Sequence, residues 1–418
     1  MKKKSFAVVI ISNGPGELST WVKPVIDNLR EILNSSESEI YVDLRLVLVP
    51  CSNATGREYH VAKNWNEFDL ITSASNFWKL LINPNKFTFW PKKGIVVFLG
   101  GDQFWSVLLA KRLGYKSITY AEWVARWPRW NDLTAVMNNR IKEKLSKKNQ
   151  KKCIVIGDLM ADIKNKNNYS LNIENQKWIA ILPGSKKAKL SIGIPYFLEM
   201  ADYISKKNPN LKILIPMAPT TNLDDYLFFQ SYKNPVAKFY SSQIKNVKKI
   251  ENEFFDYIIE TNNQTQIHIV SSHPHYEILS NCILAVTTVG ANTAELASIN
   301  LPMIVVLPTQ HLSYMNAWDG VLGILAKVSF FNKIIITLVK SWYLKNKKYF
   351  AWPNIKAKKF IVPERIGDFS PKEIAKEVLS LIDDEKSLQD QKYNLLKQRG
   401  KKGAAKKLAQ IIIRLIIN

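Results

Sequence analysis

The chain has 418 residues, of which 46% are hydrophobic and 22% charged, so it can bury a large core and is not intrinsically disordered. With 16 Gly, 18 Pro and 3 Cys, the composition excludes collagen-like and disulfide-scaffold proteins, and the length suggests two or three domains. The three cysteines are far apart and form no CxxC or Cys/His spacing, which predicts a reduced cytosolic setting and disfavours a structural zinc site.

The charge is strongly positive, since 59 Lys and Arg against 35 Asp and Glu give +24. Only 10 of these cations are arginine, the residue that recognises phosphates and bases through paired hydrogen bonds. The charge therefore fits an anionic substrate or a membrane surface at least as well as it fits nucleic acid. No specific nucleic-acid partner is expected.

Short apolar runs alternate with amphipathic stretches through the first half of the chain. The predicted strands there are Phe6–Ile11, Leu44–Val49, Ile95–Leu99, Ser117–Tyr120 and the weaker Cys153–Ile156. Helices are predicted between the strands, for example over Leu18–Leu33 and Phe104–Leu113.

After the polar stretch Asp162–Gln176 the same alternation restarts. The predicted strands of the second half are Trp178–Leu182, Leu211–Ile215, Ile267–Val270, Ile283–Thr287 and Met303–Leu307. This pattern predicts two doubly wound α/β domains that face each other, with ligands at the carboxyl ends of the strands. The predicted boundaries are 1–165 and 175–365, followed by C-terminal helices over 366–418 that pack across the domains or onto a partner subunit.

Two loops of the first half carry an acid beside glycines. The first strand is followed by Gly14–Glu17, where glycines let a ligand approach the backbone and a helix N-terminus favours an anion. The alternative is a tight turn with Glu17 in the first turn of the helix. Asp102 follows Gly100 and Gly101 at the end of a strand, as either a general base or the N-cap of the next helix.

Two loops of the second half combine glycine with hydroxyl groups and charge where a strand meets a helix. Gly184 and Ser185 can present free backbone N–H groups and Lys186 adds a positive charge, which suits a phosphate or diphosphate. Residues 287–295 also run from a strand into a helix, and Glu295 can accept hydrogen bonds from a ribose diol. An ordinary capped helix is the alternative for this last loop.

Two further segments have both a binding and a packing interpretation. Trp127 and Arg129 belong to an aromatic and basic cluster that either stacks on a ligand or packs a loop over the sheet. The apolar stretch Val321–Trp352 is interrupted by lysines. It either lies in a membrane interface among anionic lipids or packs against another helix or a partner subunit.

Together these motifs resemble one family, the lipid-A-disaccharide synthases, which are glycosyltransferases with the two-domain GT-B fold. The segments that carry the resemblance are Gly14–Glu17, Gly101–Phe104, Tyr120–Arg129, Gly157–Asp162, Leu182–Ser185, Val289–Glu295, Pro353–Ile355 and Val362–Glu364. The chain departs from the family pattern, with Lys186 in place of an arginine and Asp158 in place of a histidine. The resemblance is thus to a diverged branch.

The resemblance implies an inverting transfer of an acylated glucosamine from a UDP-sugar to a lipid monosaccharide phosphate, with no cofactor and no metal. It implies that residues 1–165 bind the acceptor and that residues 175–365 bind the UDP-sugar. Asp102 and Glu17 are the candidate catalytic residues, with Asp102 favoured as the base. The candidate substrate-binding residues are Gly14, Gly16, Gly101, Trp127, Arg129, Gly184, Ser185, Lys186, Gly290, Ala291, Asn292, Thr293 and Glu295.

The expected partners are a UDP-sugar donor and a lipid-linked sugar acceptor, while contact with an anionic membrane surface and homodimerisation stay open. The expected location is the cytoplasm, with peripheral attachment to the inner face of the cytoplasmic membrane as an option. Another UDP-sugar-dependent GT-B glycolipid glycosyltransferase or epimerase is one alternative. An epimerase would differ in acting on the UDP-sugar without an acceptor. A non-catalytic binding protein on a degenerate GT-B scaffold is the other.

Overall fold

A computed structural model describes residues 4–35, 40–50, 58–162, 176–251, 254–271, 275–311, 349–398 and 400–417 of the chain. The chain divides into two compact units. Unit 1 consists of Met1–Lys164 together with Gly400–Asn418, and unit 2 consists of Asn165–Arg399. Unit 1 is therefore built from both ends of the sequence.

Unit 1 is organised around a seven-stranded sheet of described residues. Its strands are β1 Lys4–Ser12, β2 Ile40–Leu48, β3 Leu70–Thr72, β4 Lys93–Phe98, β5 Lys116–Ala121, β6 Leu133–Val136 and β7 Cys153–Val155. They pair in the order β3-β2-β1-β4-β5-β6-β7, and all of these pairs are parallel. The order reverses beside β1, so the loops after β1 and β4 lie at the switch point where such sheets bind ligands.

Helices of unit 1 connect these strands and bury apolar residues against both faces of the sheet. They are α1 Pro15–Glu17, α2 Lys23–Ser35, α3 Glu58–Lys63, α4 Phe77–Ile82, α5 Pro84–Phe87, α6 Gln103–Leu113, α7 Asn139–Glu143 and α8 Lys147–Gln150. A π-helical stretch, Leu18–Val22, joins α1 to α2, and 3₁₀ turns cover Ala74–Asn76 and Leu159–Asp162. Helix α6 begins directly after the glycines that follow β4, which places Asp102 at its N-terminus.

Unit 2 has an eight-stranded sheet of described residues. Its strands are β8 Lys177–Leu182, β9 Leu211–Pro216, β10 Ile244–Lys249, β11 Tyr257–Thr261, β12 Gln266–Val270, β13 Leu284–Thr288, β14 Met303–Pro308 and β15 Glu364–Gly367. Their order is β10-β11-β12-β9-β8-β13-β14-β15. The β10-β11 and β11-β12 pairs are antiparallel, whereas the pairs from β12 to β15 are parallel. The switch point of this sheet lies between β8 and β13.

The helices of unit 2 follow the same strand-to-helix alternation. They are α9 Lys187–Lys207, α10 Leu223–Gln230, α11 Tyr276–Leu279, α12 Asn292–Ser298, α13 Trp352–Ala357, α14 Pro371–Asp383 and α15 Glu385–Gln398, with a 3₁₀ turn over Ala237–Phe239. Helices α9 and α14 pack against each other in the apolar core of the unit. Helix α9 starts after the loop that follows β8, and α12 starts after the loop that follows β13.

Helix α16, Ala404–Ile417, returns the chain to unit 1. Its residues Leu408, Ile412 and Ile416 are buried in the same core as β1 and α2. The carboxylate of Asp162 accepts hydrogen bonds from the backbone N–H groups of Gly403, at 2.5 Å, and of Ala405, at 2.6 Å. Since the first N–H groups of a helix have no partner within the helix, Asp162 acts as a remote cap for α16.

The prediction of two doubly wound units is confirmed, and so are the ten predicted strands. Sequence analysis missed the short strands β3, β6, β10, β11 and β15. Residues 321–348 of the apolar stretch Val321–Trp352, for which both a membrane-interface and a packing interpretation were given, fall outside the described residues. So does most of the predicted polar linker Asp162–Gln176. No helix in the described part of the chain is long and apolar enough to cross a membrane.

Candidate functional site

The predicted site residues form two loop clusters, one in each unit. The first loop cluster consists of residues 12–17, 99–104 and 121–130 of unit 1. The second loop cluster consists of residues 183–189 and 288–295 of unit 2. Both lie at the carboxyl ends of parallel strands, which is where ligands bind in sheets of this kind.

In the first loop cluster, the loop after β1 contacts the loop after β4. The hydroxyl of Ser12 donates a hydrogen bond of 3.2 Å to the carbonyl of Leu99. Gly100 has a φ of +151°, and a Cβ added to it would lie 2.7 Å from Ser12 Oγ and 3.1 Å from Glu17 Cβ. Glycine is therefore needed at position 100, and the stem of Glu17 lies directly against it.

Gly14 and Gly16 shape the first turn after β1. A Cβ on Gly14 would lie 2.2 Å from Glu17 Oε2, so the carboxylate folds back over the bare backbone of this glycine. The carbonyl of Gly16 accepts a hydrogen bond of 2.8 Å from the Thr20 hydroxyl. These contacts place the Glu17 carboxylate between the two glycine-containing loops.

Asp102 is the N-cap of α6. One of its carboxylate oxygens accepts a hydrogen bond of 2.9 Å from the backbone N–H of Phe104, which confirms the capping interpretation. The other oxygen lies 4.0 Å from Arg126 Nη1, and both side chains are more than half exposed. Gly101, with a φ of +93°, brings the chain into this cap. The role of Asp102 as a base stays a prediction.

Aromatic side chains lie beside Asp102. The ring of Phe104 is 5.5 Å from that of Trp127, which stacks on Trp130 at 5.1 Å with the planes 3° apart. Trp127 is 41% exposed and Trp130 is 54% exposed, so this stack presents an open aromatic surface. A large apolar surface that solvent can reach is suited to contact with a ligand.

The loop that carries this stack is held by Gln103, which sequence analysis did not single out. Its amide donates a hydrogen bond of 2.9 Å to the carbonyl of Val124. It also accepts a hydrogen bond of 2.6 Å from the backbone N–H of Arg126. Arg129 is exposed, and its carbonyl accepts a hydrogen bond from the Lys152 ammonium at 3.2 Å. Asp102 and Trp127 therefore belong to the same cluster, connected through Gln103 and Phe104. The side chain of Arg129 is exposed to solvent.

In the second loop cluster, two glycines bring the loops after β8 and β13 together. Gly184 has a φ of +108° and Gly290 a φ of +152°, conformations that side chains rarely allow. A Cβ on Gly184 would lie 2.9 Å from Lys189 Cβ, and one on Gly290 would lie 2.8 Å from Lys189 Nζ. Both glycines therefore make room for the side chain of Lys189.

Ser185 and Lys186 precede α9, a helix of 21 residues. Ser185 is partly buried, whereas Lys186 is exposed and occupies the N-cap position with an extended backbone and no side-chain cap. The unsatisfied N–H groups at the start of a long helix favour an anion. The phosphate-binding interpretation of this loop is consistent with these positions and stays a prediction.

The residues 291–295 have unequal exposure. Ala291 is exposed and Asn292 partly so, but Thr293 is fully buried, with its hydroxyl donating to the Gly290 carbonyl at 2.8 Å and accepting from Trp352 N–H at 3.0 Å. The hydroxyl of Thr293 thus ties the loop to α13. Glu295 lies one turn further and is partly buried.

Glu295 lies near the buried Tyr276. Burial raises the pKa of Tyr276 well above its usual value, and the negative charge of Glu295 adds to this effect. The Tyr276 hydroxyl is buried and makes no hydrogen bond in the structure.

Sequence analysis missed Lys189, which the fold places between the two glycines. Its ammonium donates a hydrogen bond of 2.5 Å to the Val289 carbonyl, 100 residues away in sequence. Burial, together with the smaller effect of the positive charge of Lys186, lowers the pKa of Lys189 to about 8. The only signal in the sequence is that Lys189 lies three residues after Lys186, on the same side of the helix start.

Within the described ranges, no group of three His, Cys, Asp or Glu side chains is placed to hold a metal ion. Cys153 and Cys282 are both buried free thiols, whereas Cys51 lies outside the described residues.

Comparison with known proteins finds no matching family model, but it finds similar sequences. The chain is 27% identical over 248 residues to a lipid-A-disaccharide synthase of Sulfurihydrogenibium, covering 58% of this chain and 52% of that protein. It is 25% identical over 244 residues to one of Nitrosococcus oceani, covering 57% and 49%. The chain thus spans about half the length of the curated relatives it matches.

Solved structures with a similar fold include two UDP-GlcNAc 2-epimerases. The enzyme of Neisseria meningitidis, bound to UDP-GlcNAc, superposes with a TM-score of 0.52 at 11% identity, covering 99% of this chain and 100% of that chain. The enzyme of Methanocaldococcus jannaschii, in complex with UDP-GlcNAc and UDP, gives 0.50 at 12% identity, covering 98% and 99%. These likenesses concern the fold. The chain therefore has the GT-B type of fold and is similar in sequence, as a diverged relative, to the lipid-A-disaccharide synthases.

Proposed function

We propose that this protein is a UDP-sugar-dependent, inverting glycosyltransferase that transfers an acylated glucosamine to a lipid monosaccharide phosphate. The observation that carries the proposal is the sequence similarity to lipid-A-disaccharide synthases. The GT-B type of fold supports it, because glycine-containing loops lie at the switch point of each sheet.

In this proposal, unit 2 binds the donor. The diphosphate lies against Gly184–Lys186 at the start of α9, and the ribose hydroxyls donate hydrogen bonds to Glu295. The positive end of the helix dipole and the Lys186 ammonium stabilise the negative charge that develops on the departing UDP. Gly290–Thr293 form the other wall of the donor site, where Gly290 leaves the backbone accessible.

Unit 1 binds the acceptor in the same proposal. As the acceptor hydroxyl oxygen forms its bond to the anomeric carbon, the bond from that carbon to the UDP oxygen breaks and the hydroxyl proton passes to the Asp102 carboxylate. Glu17 orients the acceptor. The exposed stack of Trp127 and Trp130 contacts apolar parts of the lipid, and Arg129 interacts with its phosphate.

An epimerase is the second candidate function. The likeness in fold to UDP-GlcNAc 2-epimerases extends over nearly the whole chain, whereas the matching relatives in sequence cover 58% of it or less. Such an enzyme would act on a UDP-sugar without an acceptor.

The test is incubation of the protein with a panel of UDP-sugars, each with and without lipid-linked sugar acceptors, followed by mass spectrometry. We expect a glycosylated acceptor and free UDP only where both substrates are present. An epimerised or hydrolysed UDP-sugar without acceptor would support the second candidate instead. Binding of UDP without any turnover would indicate a non-catalytic protein.

A further inference from the structure

Lys189 is a partly buried lysine whose charge no carboxylate of the described residues compensates. Its ammonium lies between the loops of the second loop cluster, with one hydrogen bond to the Val289 carbonyl. Among the described residues no carboxylate pairs with it, and the charged group that acts on it is another cation, Lys186. A partly buried ammonium without a counter-ion is costly, so proteins rarely keep one without use.

The space around Lys189 is kept open by glycine. Any side chain on Gly290 would lie 2.8 Å from the ammonium nitrogen, and any side chain on Gly184 would press on the lysine stem. The two glycines also expose backbone beside the ammonium, as in sites where a backbone approaches a ligand closely. An ammonium has three N–H donors, and the hydrogen bond to Val289 uses one of them.

A second, independent observation comes from Thr288. Its side-chain oxygen is buried and makes no hydrogen bond in the structure, although Thr288 is only 5% exposed. This oxygen lies 3.3 Å from the position that a Cβ on Gly184 would occupy. An unsatisfied hydroxyl therefore faces the same glycine gap as Lys189, and buried hydroxyls normally have a partner.

We propose that Lys189 is the residue that supplies the counter-charge for a phosphoryl oxygen of the nucleotide diphosphate, with the Thr288 hydroxyl as a second donor. The inference rests on the proposed UDP-sugar function. It extends that function because the loop sequence alone indicates Lys186 and not Lys189 as the phosphate-binding lysine. Lys186 is exposed, so its interaction with an anion is screened by water and salt. Lys189 is more shielded, and its interaction with an anion is correspondingly stronger.

The proposal makes binding dependent on protons. The pKa of Lys189 is lowered to about 8 in the free protein, by burial and by Lys186, and a bound anion raises it. The charged group facing Lys189 from its own helix is Lys186, while the β13–α12 loop contributes the uncharged Val289, Gly290 and Thr288. The complex thus holds more protons than the free protein above pH 8, so affinity falls as the pH rises.

The experiment measures UDP and inorganic pyrophosphate binding by calorimetry for the wild type, Lys189→Met and Lys187→Met. Methionine has a similar length and no charge to bury, so the first variant should fold, which circular dichroism verifies. Lys187→Met is the matched control, because it removes an exposed lysine from the same helix start. Titrations at pH 7.5 and 8.8, in two buffers of different ionisation enthalpy, give the affinity and the proton uptake.

For wild type and Lys187→Met we expect affinity to fall about fivefold from pH 7.5 to 8.8, with proton uptake rising from about a quarter of a proton to nearly one. For Lys189→Met we expect binding about 10- to 100-fold weaker at pH 7.5, with neither the pH dependence nor the uptake. Unchanged UDP affinity and pH dependence in Lys189→Met would overturn this inference alone. Absence of UDP and pyrophosphate binding in the wild type would overturn both it and the donor site.

Discussion

Asp102 is the N-cap of α6, and this geometry is compatible with the base role that the sequence pattern presented as the alternative. One carboxylate oxygen caps α6 at Phe104, and in the proposed mechanism the other oxygen accepts the proton of the acceptor hydroxyl. The two tasks need different chemistry, since a cap needs only an accepting oxygen and a base needs a carboxylate. The amide of asparagine satisfies the first requirement and not the second.

We therefore expect Asp102→Asn to reduce turnover by about 10²–10⁴-fold, the usual effect of removing a general base, while stability and UDP affinity stay near wild type. Asn and Asp are about equally good N-caps, so the variant should retain the cap at the start of α6. Steady-state kinetics measures the turnover, thermal unfolding measures the stability, and calorimetry measures the UDP affinity. Glu17→Gln is the comparison variant.

Near-normal turnover in Asp102→Asn combined with a loss in Glu17→Gln would reverse the two roles. If both variants keep near-normal turnover, the proposed mechanism is wrong for this chain. A large loss of stability in Asp102→Asn would indicate that the carboxylate charge matters mainly for the fold.

The residues of the candidate site could be predicted from sequence only where a local pattern carries the information. Glycines at strand ends, with an acid or a lysine beside them, predict the loops of both clusters. Lys189 could not be found in this way, because its ammonium contacts Val289 and Gly290, a hundred residues further along the chain. Gln103 was missed for the same reason, since it holds a loop some twenty residues away.

At the scale of elements, the segment Gly157–Asp162 is used to attach α16. Asp162 accepts hydrogen bonds from Gly403 and Ala405, and Asp158 lies against Gly400, where a Cβ would come within 2.6 Å of its own Cβ. In the sequence, this segment stands out only through its resemblance to a family motif. Its structural use in this chain is to fix the start of the last helix.

We expect Asp162→Ala to destabilise α16, because it leaves two backbone N–H groups without their acceptor, at a cost of about 1–3 kcal/mol. Hydrogen exchange measured by mass spectrometry should accelerate in Ala404–Ile417 and change little in unit 2. Asp383→Ala, which removes an exposed carboxylate from unit 2, is the control. Equal protection of α16 in Asp162→Ala and wild type would show that the apolar face alone holds the helix.

The strands that were predicted and those that were missed differ in burial. Most of the ten predicted strands are rich in apolar residues, because parallel strands covered on both faces bury nearly every side chain. The missed β10 carries Lys245, Lys248 and Lys249 and lies at the edge of its sheet, where lysines discourage pairing with other chains. The missed β3 has only three residues, too few for a periodic signal.

At the scale of the whole molecule, unit 1 depends on a segment distant in sequence. Leu408, Ile412 and Ile416 of α16 are buried in the core of β1 and α2. Burial of three such side chains contributes roughly 5–9 kcal/mol, which is comparable with the entire stability of a typical domain.

We therefore expect a chain truncated after residue 399 to lose the cooperative folding of unit 1 and to retain that of unit 2. Hydrogen exchange should show β1 and β4 unprotected while β8 and β13 keep their protection. A full-length chain with Lys406→Ala and Gln410→Ala, both on the exposed side of α16, should behave as wild type. Normal protection of β1 in the truncated chain would contradict the role assigned to α16.

The dependence of unit 1 on α16 also sets an order of events on the ribosome. All of unit 2 is synthesised after the first segment of unit 1 and before α16. At typical translation rates of about 5–20 residues per second, the nascent first segment waits on the order of tens of seconds for its last helix. During that time the surface of β1 and α2 that α16 covers is exposed, so a chaperone that binds apolar nascent segments should associate with this protein until α16 has been synthesised. The domain that starts first thus finishes folding last.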